Sequence, residues 1–237
     1  HVFGNHDDQY GPRISKEAQQ QIYESFADCI SKAGPAEIHG IGNYVLPILS
    51  SDDTKIAFNV WGLDSNTYLS DYSPVLDEQV MLGKSLPPAT NYDFIHFDQI
   101  HWYWNTSVAL EKYNGAKIPA LMYFHIPLPE FKIIARNPEQ TNMTGALREG
   151  ICSSHLNSGL FTTLLQRGDV KGVFCGHDHI NDFAGTYCGI KLGYASTLGY
   201  NTYNDPDSMG ARMFVIQENN AESFSTYMSY IKREIES

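Results

Sequence analysis

Four side chains at three places in the chain are able to hold a metal ion: Asn5, His125, His177 and His179. Gly176-His177-Asp178-His179 follows the apolar run Val173-Phe174-Cys175, so a β-rich run stops at glycine and opens into a loop with two histidines. Imidazoles at i and i+2 on extended backbone lean toward neighbouring points, which suits two metal ions a few Å apart. Taken alone, a Gly-His-x-His is equally at home as two ordinary polar loop histidines. Two further stretches add weight. Gly4-Asn5-His6-Asp7 stands after the apolar pair Val2-Phe3, and His125 closes the run Ala120-Leu121-Met122-Tyr123-Phe124. Three strand-to-loop junctions carrying Asn and His point together to a metal centre. Neutral imidazoles and an amide carbonyl add no negative charge, so a cation held by them keeps its attraction for an anionic substrate.

The elements that must position these side chains follow from period and punctuation. Ser15 caps a helix running to about residue 33, stopped by Gly34-Pro35, and its stripe Ala18, Ile22, Phe26, Ile30 is expected to pack on a sheet. Residues 43–49 and 55–63 are apolar, β-branched runs that read as a hairpin across Ser51-Asp52-Asp53-Thr54. Residues 64–88 are polar and Pro-punctuated, a surface excursion. A second helix spans 98–113, ended by Asn114-Gly115, with Ile100, Tyr103, Trp104, Val108 and Leu110 as its packed face. His96 and His101 sit there among aromatics, without the strand-end placement of the other histidines. Residues 118–124 form the strand that delivers His125. Residues 130–155 show no clear period and begin right after a proposed ligand, so they read as a wall or lid of the site. Lys132, Arg136 and Arg148 are its cations; Arg136 and Arg148 stand as candidates for holding the substrate. A helix over 158–167, a strand Val170–Cys175, a hairpin around Cys188-Gly189 and a final strand pair over 212–217 and 223–230 complete the chain. Periodicity supports an α/β, sheet-centred class.

Composition bounds the partners. At 237 residues and 26.6 kDa, the whole of 1–237 reads as one large domain. A net charge of −11 argues against a nucleic-acid partner, which needs a broad basic face. Four cysteines without a Cys-x-x-Cys make neither a zinc site nor a disulfide framework; Cys175 and Cys188 are placed either to pair or to stay free thiols. Asn105-Thr106-Ser107 and Asn142-Met143-Thr144 match the glycosylation pattern and lean toward a secretory route. No apolar run approaches the roughly 18 residues of a membrane span. The sequence begins at His1 rather than Met, and Val2-Phe3 reads as the end of a strand whose partners lie upstream, so an N-terminal portion is expected to be missing.

The order Gly-Asn-His-Asp, lone His after a strand, Gly-His-x-His resembles the second half of a calcineurin-like metallophosphoesterase. The resemblance tightens toward the purple acid phosphatase 29-like branch. It is carried by Phe124-His125-Ile126-Pro127-Leu128-Pro129-Glu130-Phe131, Asn157-Ser158-Gly159-Leu160-Phe161-Thr162-Thr163 and Gly176-His177-Asp178-His179-Ile180-Asn181-Asp182-Phe183. It implies a four-layer αββα sandwich with the site on loops at strand ends, its N-terminal strands missing here. It implies a binuclear centre of iron, zinc or manganese in which Asn5, His125 and His177 hold one metal and His179 belongs to the other. His6 then is no ligand; it orients the phosphate and protonates the leaving oxygen, with Asp7 holding its ring, while Asp178 shapes the loop. The family's two leading motifs, Asp-x-His and Gly-Asp-x-x, are absent, and Asp52-Asp53 and Gly168-Asp169 do not substitute. Three functions are compatible: a phosphomonoesterase acting on a small phosphorylated substrate or phosphoprotein, a phosphodiesterase on nucleotides or lipid headgroups, and a non-catalytic phosphate-binding scaffold.

Overall fold

The apolar runs form a six-stranded sheet: β1 (Tyr44–Leu49), β2 (Ile56–Gly62), β3 (Ala120–Phe124), β4 (Val170–Cys175), β5 (Ala184–Tyr187) and β6 (Ile190–Tyr194), in the order β1-β2-β3-β4-β6-β5. The computed structural model describes residues 1–7, 14–69 and 92–231. Strands β2, β3, β4 and β6 run parallel, and the hairpin partners β1 and β5 close the two edges antiparallel. Phe124 and Cys175 are register partners on β3 and β4. Because neighbouring parallel strands end on the same side, His125 and Gly176 leave the sheet next to one another.

A parallel sheet must be covered on both faces. On one face lie helices α2 (Phe97–Asn114), α3 (Phe131–Arg136) and α4 (Leu160–Arg167), whose Tyr103, Phe131, Ile134 and Leu164 join Trp61, Met122, Val173 and Tyr194 in the main core. On the other lies a two-stranded sheet, β7 (Gly210–Ile216) paired with β8 (Phe224–Tyr230). Its Phe214, Ile216 and Phe224 pack on Phe58, Leu121 and Phe174. Helices, large sheet and small sheet are thus three successive layers of the expected sandwich. Among the described residues no helix is long and apolar enough to cross a membrane.

The first helix departs from its expectation. α1 (Lys16–Glu24) begins as expected, with Ser15 Oγ accepting from Ala18 N–H at 3.3 Å, but stops well short of residue 33. Ser25 Oγ donates to Ile22 O at 2.6 Å, and the chain turns through Phe26 to Cys29. A serine hydroxyl bonded to a nearby carbonyl competes with helix continuation. The apolar stripe is not the buried face: Ile22, Phe26 and Ile30 are 51%, 65% and 67% exposed. Lys16 and Gln20, about half a turn round the helix, are buried instead. The Lys16 ammonium pairs with buried Asp64 at 3.0 Å, and this pair, not the apolar row, fixes which side faces in.

α2 is capped at both ends as its sequence dictates. The Gln99 side chain accepts from His96 N–H at 2.8 Å, and Gly115 takes the left-handed φ of 74° that closes the helix. Its buried residues are Gln99, Ile100, Tyr103 and Ser107, while Val108 is exposed. Cys175 is buried and Cys188 exposed, and both are free thiols. Of the surface excursion read over 64–88, residues 70–88 lie outside the described residues.

Candidate metal centre

His125 and His177 arrive from adjacent strand ends, and the N-terminal turn lies across them. A Cβ on Gly4 would sit 3.0 Å from the His125 ring, so only glycine lets the turn approach this closely. Ser65, just past β2, accepts Ile126 N–H at 2.8 Å and fixes the exit after His125. The result is a triangle of donor atoms. Asn5 Oδ1 is 2.9 Å from His125 Nε2 and 3.2 Å from His177 Nδ1, and the two ring nitrogens are 3.2 Å apart. Ligand atoms bonded tetrahedrally at about 2.0–2.1 Å stand roughly 3.3 Å from one another. The triangle therefore matches one face of a coordination tetrahedron, and its donors fit a divalent metal ion. Among the described residues no group of three or more His, Cys, Asp or Glu is gathered for a metal; the gathered set is two histidines and an amide.

Burial keeps these histidines neutral. It pushes His125 down to about 4 and His177 down to about 3, and the nearby His6 and His179 push in the same direction. Both rings therefore carry lone pairs at neutral pH. His177 itself has φ of 72°, in the left-handed region. Asp178 turns away from the triangle: its Oδ2 accepts from the Tyr194 hydroxyl at 2.6 Å, and its carboxylate from Cys152 N–H at 3.3 Å. Burial raises that carboxyl to about 6.

His6 and Asp7 are exposed on the same turn as Asn5. Asp7 Oδ2 accepts Gly4 N–H at 2.6 Å and Asp7 N–H donates to Gly4 O at 3.2 Å, which closes the turn. His179 stands on the rim, its ring against Tyr203. The segment 130–155 contains a helix, α3, that its sequence did not announce, and beyond it the chain walls the histidine loop. Ala146 N–H donates to Asp182 Oδ1 at 2.6 Å, and Arg148 and Glu149 N–H donate to Asn181 Oδ1 at 2.8 and 3.0 Å. Arg148 is committed to this wall: its guanidinium pairs with Asp182 at 2.8 Å and Asp205 at 3.4 Å. Arg136 is exposed at the end of α3.

Two tyrosines join the site without a local signal in the sequence. Asn5 Nδ2 donates to the Tyr68 hydroxyl at 3.2 Å, which turns Oδ1 toward the imidazoles. Tyr68 and Tyr92 form an isolated antiparallel bridge with rings stacked at 5.6 Å, and Tyr92 meets the His177 ring edge-on at 4.4 Å.

No family model matches the chain. It is 37% identical over 221 residues to the "probable inactive purple acid phosphatase 29" of Arabidopsis thaliana, a match covering 85% of this chain and 51% of that protein. To the "probable inactive purple acid phosphatase 14" of the same plant it is 34% identical over 218 residues, covering 85% and 50%. To "phosphatase DCR2" of Saccharomyces cerevisiae it is 30% identical over 195 residues, covering 77% and 30%. The chain belongs to the metallophosphoesterase superfamily. It spans about half the length of the two plant relatives. A crystal structure of a dimetal phosphatase from Danio rerio is a distant likeness, with a TM-score of 0.38 and 13% identity over 65% of this chain and 49% of the other. Two of these relatives are named "probable inactive", so membership by itself assigns no turnover.

Proposed function

We propose that the protein is a metal-dependent phosphomonoesterase with a binuclear centre. Asn5, His125 and His177 hold one metal ion and His179 serves the other, the metals being iron, zinc or manganese. The observation that supports this most is the donor triangle of Asn5, His125 and His177, with edges of 2.9, 3.2 and 3.2 Å. A bound metal pair supplies a nucleophile at neutral pH and neutralises charge on the phosphoryl oxygens.

The chain's own residues do the rest. The neutral donors leave the field of the centre positive toward a phosphate of a small molecule or phosphoprotein. Tyr68 holds the Asn5 amide with its oxygen inward, and the edge of Tyr92 covers one side of His177. His6, exposed on the turn that Asp7 closes, orients the phosphate and gives a ring proton to the leaving ester oxygen in this reading.

A non-catalytic phosphate-binding role is the second reading, favoured by the word "inactive" in the names of the two plant relatives. Bound zinc, manganese and iron, measured beside hydrolysis of p-nitrophenyl phosphate and bis(p-nitrophenyl) phosphate, separate these readings. Metal with faster monoester hydrolysis supports the phosphomonoesterase, and faster diester hydrolysis makes the protein a phosphodiesterase. Metal and phosphate binding without turnover makes it a scaffold, and a protein that binds no metal sinks the centre altogether.

A further inference from the structure

His179 is braced in a way unlike the other histidines of the site. Its ring lies flat on Tyr203, with centroids 4.2 Å apart and planes 9° from parallel. Its Nδ1 is 3.1 Å from the Tyr203 carbonyl oxygen and 3.3 Å from Thr202 Oγ1. A carbonyl oxygen only accepts, so Nδ1 carries the hydrogen and the lone pair of the neutral ring is on Nε2. His177, two residues earlier, presents Nδ1 to the triangle. The two histidines of one His-Asp-His thus offer opposite ring nitrogens.

The bracing continues beyond the ring. The Tyr203 hydroxyl donates to Glu149 Oε2 at 2.9 Å and lies 3.4 Å from His179 N–H. The other Glu149 oxygen accepts Ile180 N–H at 2.8 Å, and Asn181 Nδ2 donates to the Glu149 carbonyl at 3.1 Å. Loop residue 179, rim residue 203 and wall residue 149 therefore form a closed circuit of contacts around one imidazole. Tyr203 is 56% exposed and adds little to the core. A large aromatic left in solvent, with ring, carbonyl and hydroxyl all turned to one histidine loop, is placed to orient that loop.

We propose that Tyr203 is a positioning residue for the second metal ion: its carbonyl fixes the His179 tautomer and its ring and hydroxyl fix the direction of Nε2, the ligand atom. This role rests on the metal centre proposed above. Outer contacts that orient a ligating histidine characteristically change metal affinity by about 10- to 100-fold when removed.

The test uses the protein with zinc or manganese as probe, in wild type, Tyr203→Phe and Tyr203→Ala. In the metal-free protein, nitrogen chemical shifts of His179 are expected to report a hydrogen on Nδ1 in wild type and in both variants, because the carbonyl of residue 203 belongs to the backbone and survives the substitutions. In titrations, Tyr203→Ala is expected to weaken the second equivalent by about 10- to 100-fold and leave the first unchanged. Tyr203→Phe, which keeps the ring and loses only the hydroxyl, is expected to restore most of that loss. Unchanged binding of both equivalents in Tyr203→Ala would overturn the role while leaving the metal centre standing. Equal weakening of both equivalents would overturn it too, because the effect would then not be specific to His179. A wild-type protein that takes up no metal removes the centre and this role together, and a hydrogen found on Nε2 of wild-type His179 removes the role alone.

Discussion

The two sides of the site are built on different principles. The triangle of Asn5, His125 and His177 is drawn together by the sheet: register partners Phe124 and Cys175 set two histidines side by side, and Gly4 lets a turn close over them. His179 is held from outside by a tyrosine ring, a backbone carbonyl and a glutamate on two loops. The first arrangement is fixed when the core folds; the second depends on surface contacts that change without touching the core. The proposed metal centre, divided in this way, would have one half that is rigid by construction and one half that loops can tune.

Experiments that break the rigid half come first because their effects are largest. His125→Ala is expected to take both metal uptake and hydrolysis to background, and metal uptake equal to wild type would dismantle the triangle. His6→Ala, on the exposed turn, is expected to lower turnover by about 10²–10⁴ with metal content unchanged. Lost metal would instead make His6 a ligand.

Acid separates the halves next. His125 and His177 titrate near 6.5 when unfolded but only at about 4 and about 3 when folded, because burial disfavours their charged forms. The unfolded chain therefore binds more protons below 6.5, and stability rises with pH in that range. In the metal-free protein their contribution is fully present above pH 6.5 and is lost as pH falls toward 4 and then 3. Urea midpoints at pH 7 and pH 4.5 check this; equal midpoints would show that the two rings are not buried as described.

Gly4→Ala probes the closeness of the turn. The added methyl meets the His125 ring at 3.0 Å and must displace it by a few tenths of an ångström, expected to cost about 10-fold in hydrolysis given the steep dependence of catalysis on placement. The smallest effect belongs to Tyr68→Phe. It removes one hydrogen bond to the Asn5 amide, about 1 kcal/mol, and a calorimetric metal titration should read a weakening of about five-fold. A loss as large as that of His125→Ala would make Tyr68 part of the centre itself.

Much of this was legible in the sequence because the junctions that carry the proposed ligands coincide with strand ends, and apolar runs stopped by Gly or Pro mark strand ends well. The strands that deliver His125 and His177, the two hairpins and the Gly115 helix stop all follow from such local signals. The failures are cases where a distant partner decided. In α1 the apolar stripe of Ile22, Phe26 and Ile30 has helical spacing, yet the pairing of Lys16 with Asp64, far along the chain, turned the helix the other way. Tyr68, Tyr92 and Tyr203 carry no motif, and their roles arise from contacts across tens of residues. Arg148 read as a candidate for holding the substrate, and its pairing with Asp182 and Asp205 has no local signal because both carboxylates are remote in sequence.

The positive φ of His177 has a consequence for how this loop should be mutated. Left-handed backbone disfavours any residue with a Cβ, by roughly 1–2 kcal/mol, and glycine alone escapes it. The imidazole at 177 is therefore carried on a backbone whose chirality works against it, and the fold around the loop must hold it there. His177→Ala deletes the ring but keeps the mismatch of handedness, whereas His177→Gly deletes both. Two substitutions that are equivalent for metal chemistry should thus differ in stability, with glycine the more stable, and that difference measures what the loop spends on holding a mirror-handed histidine.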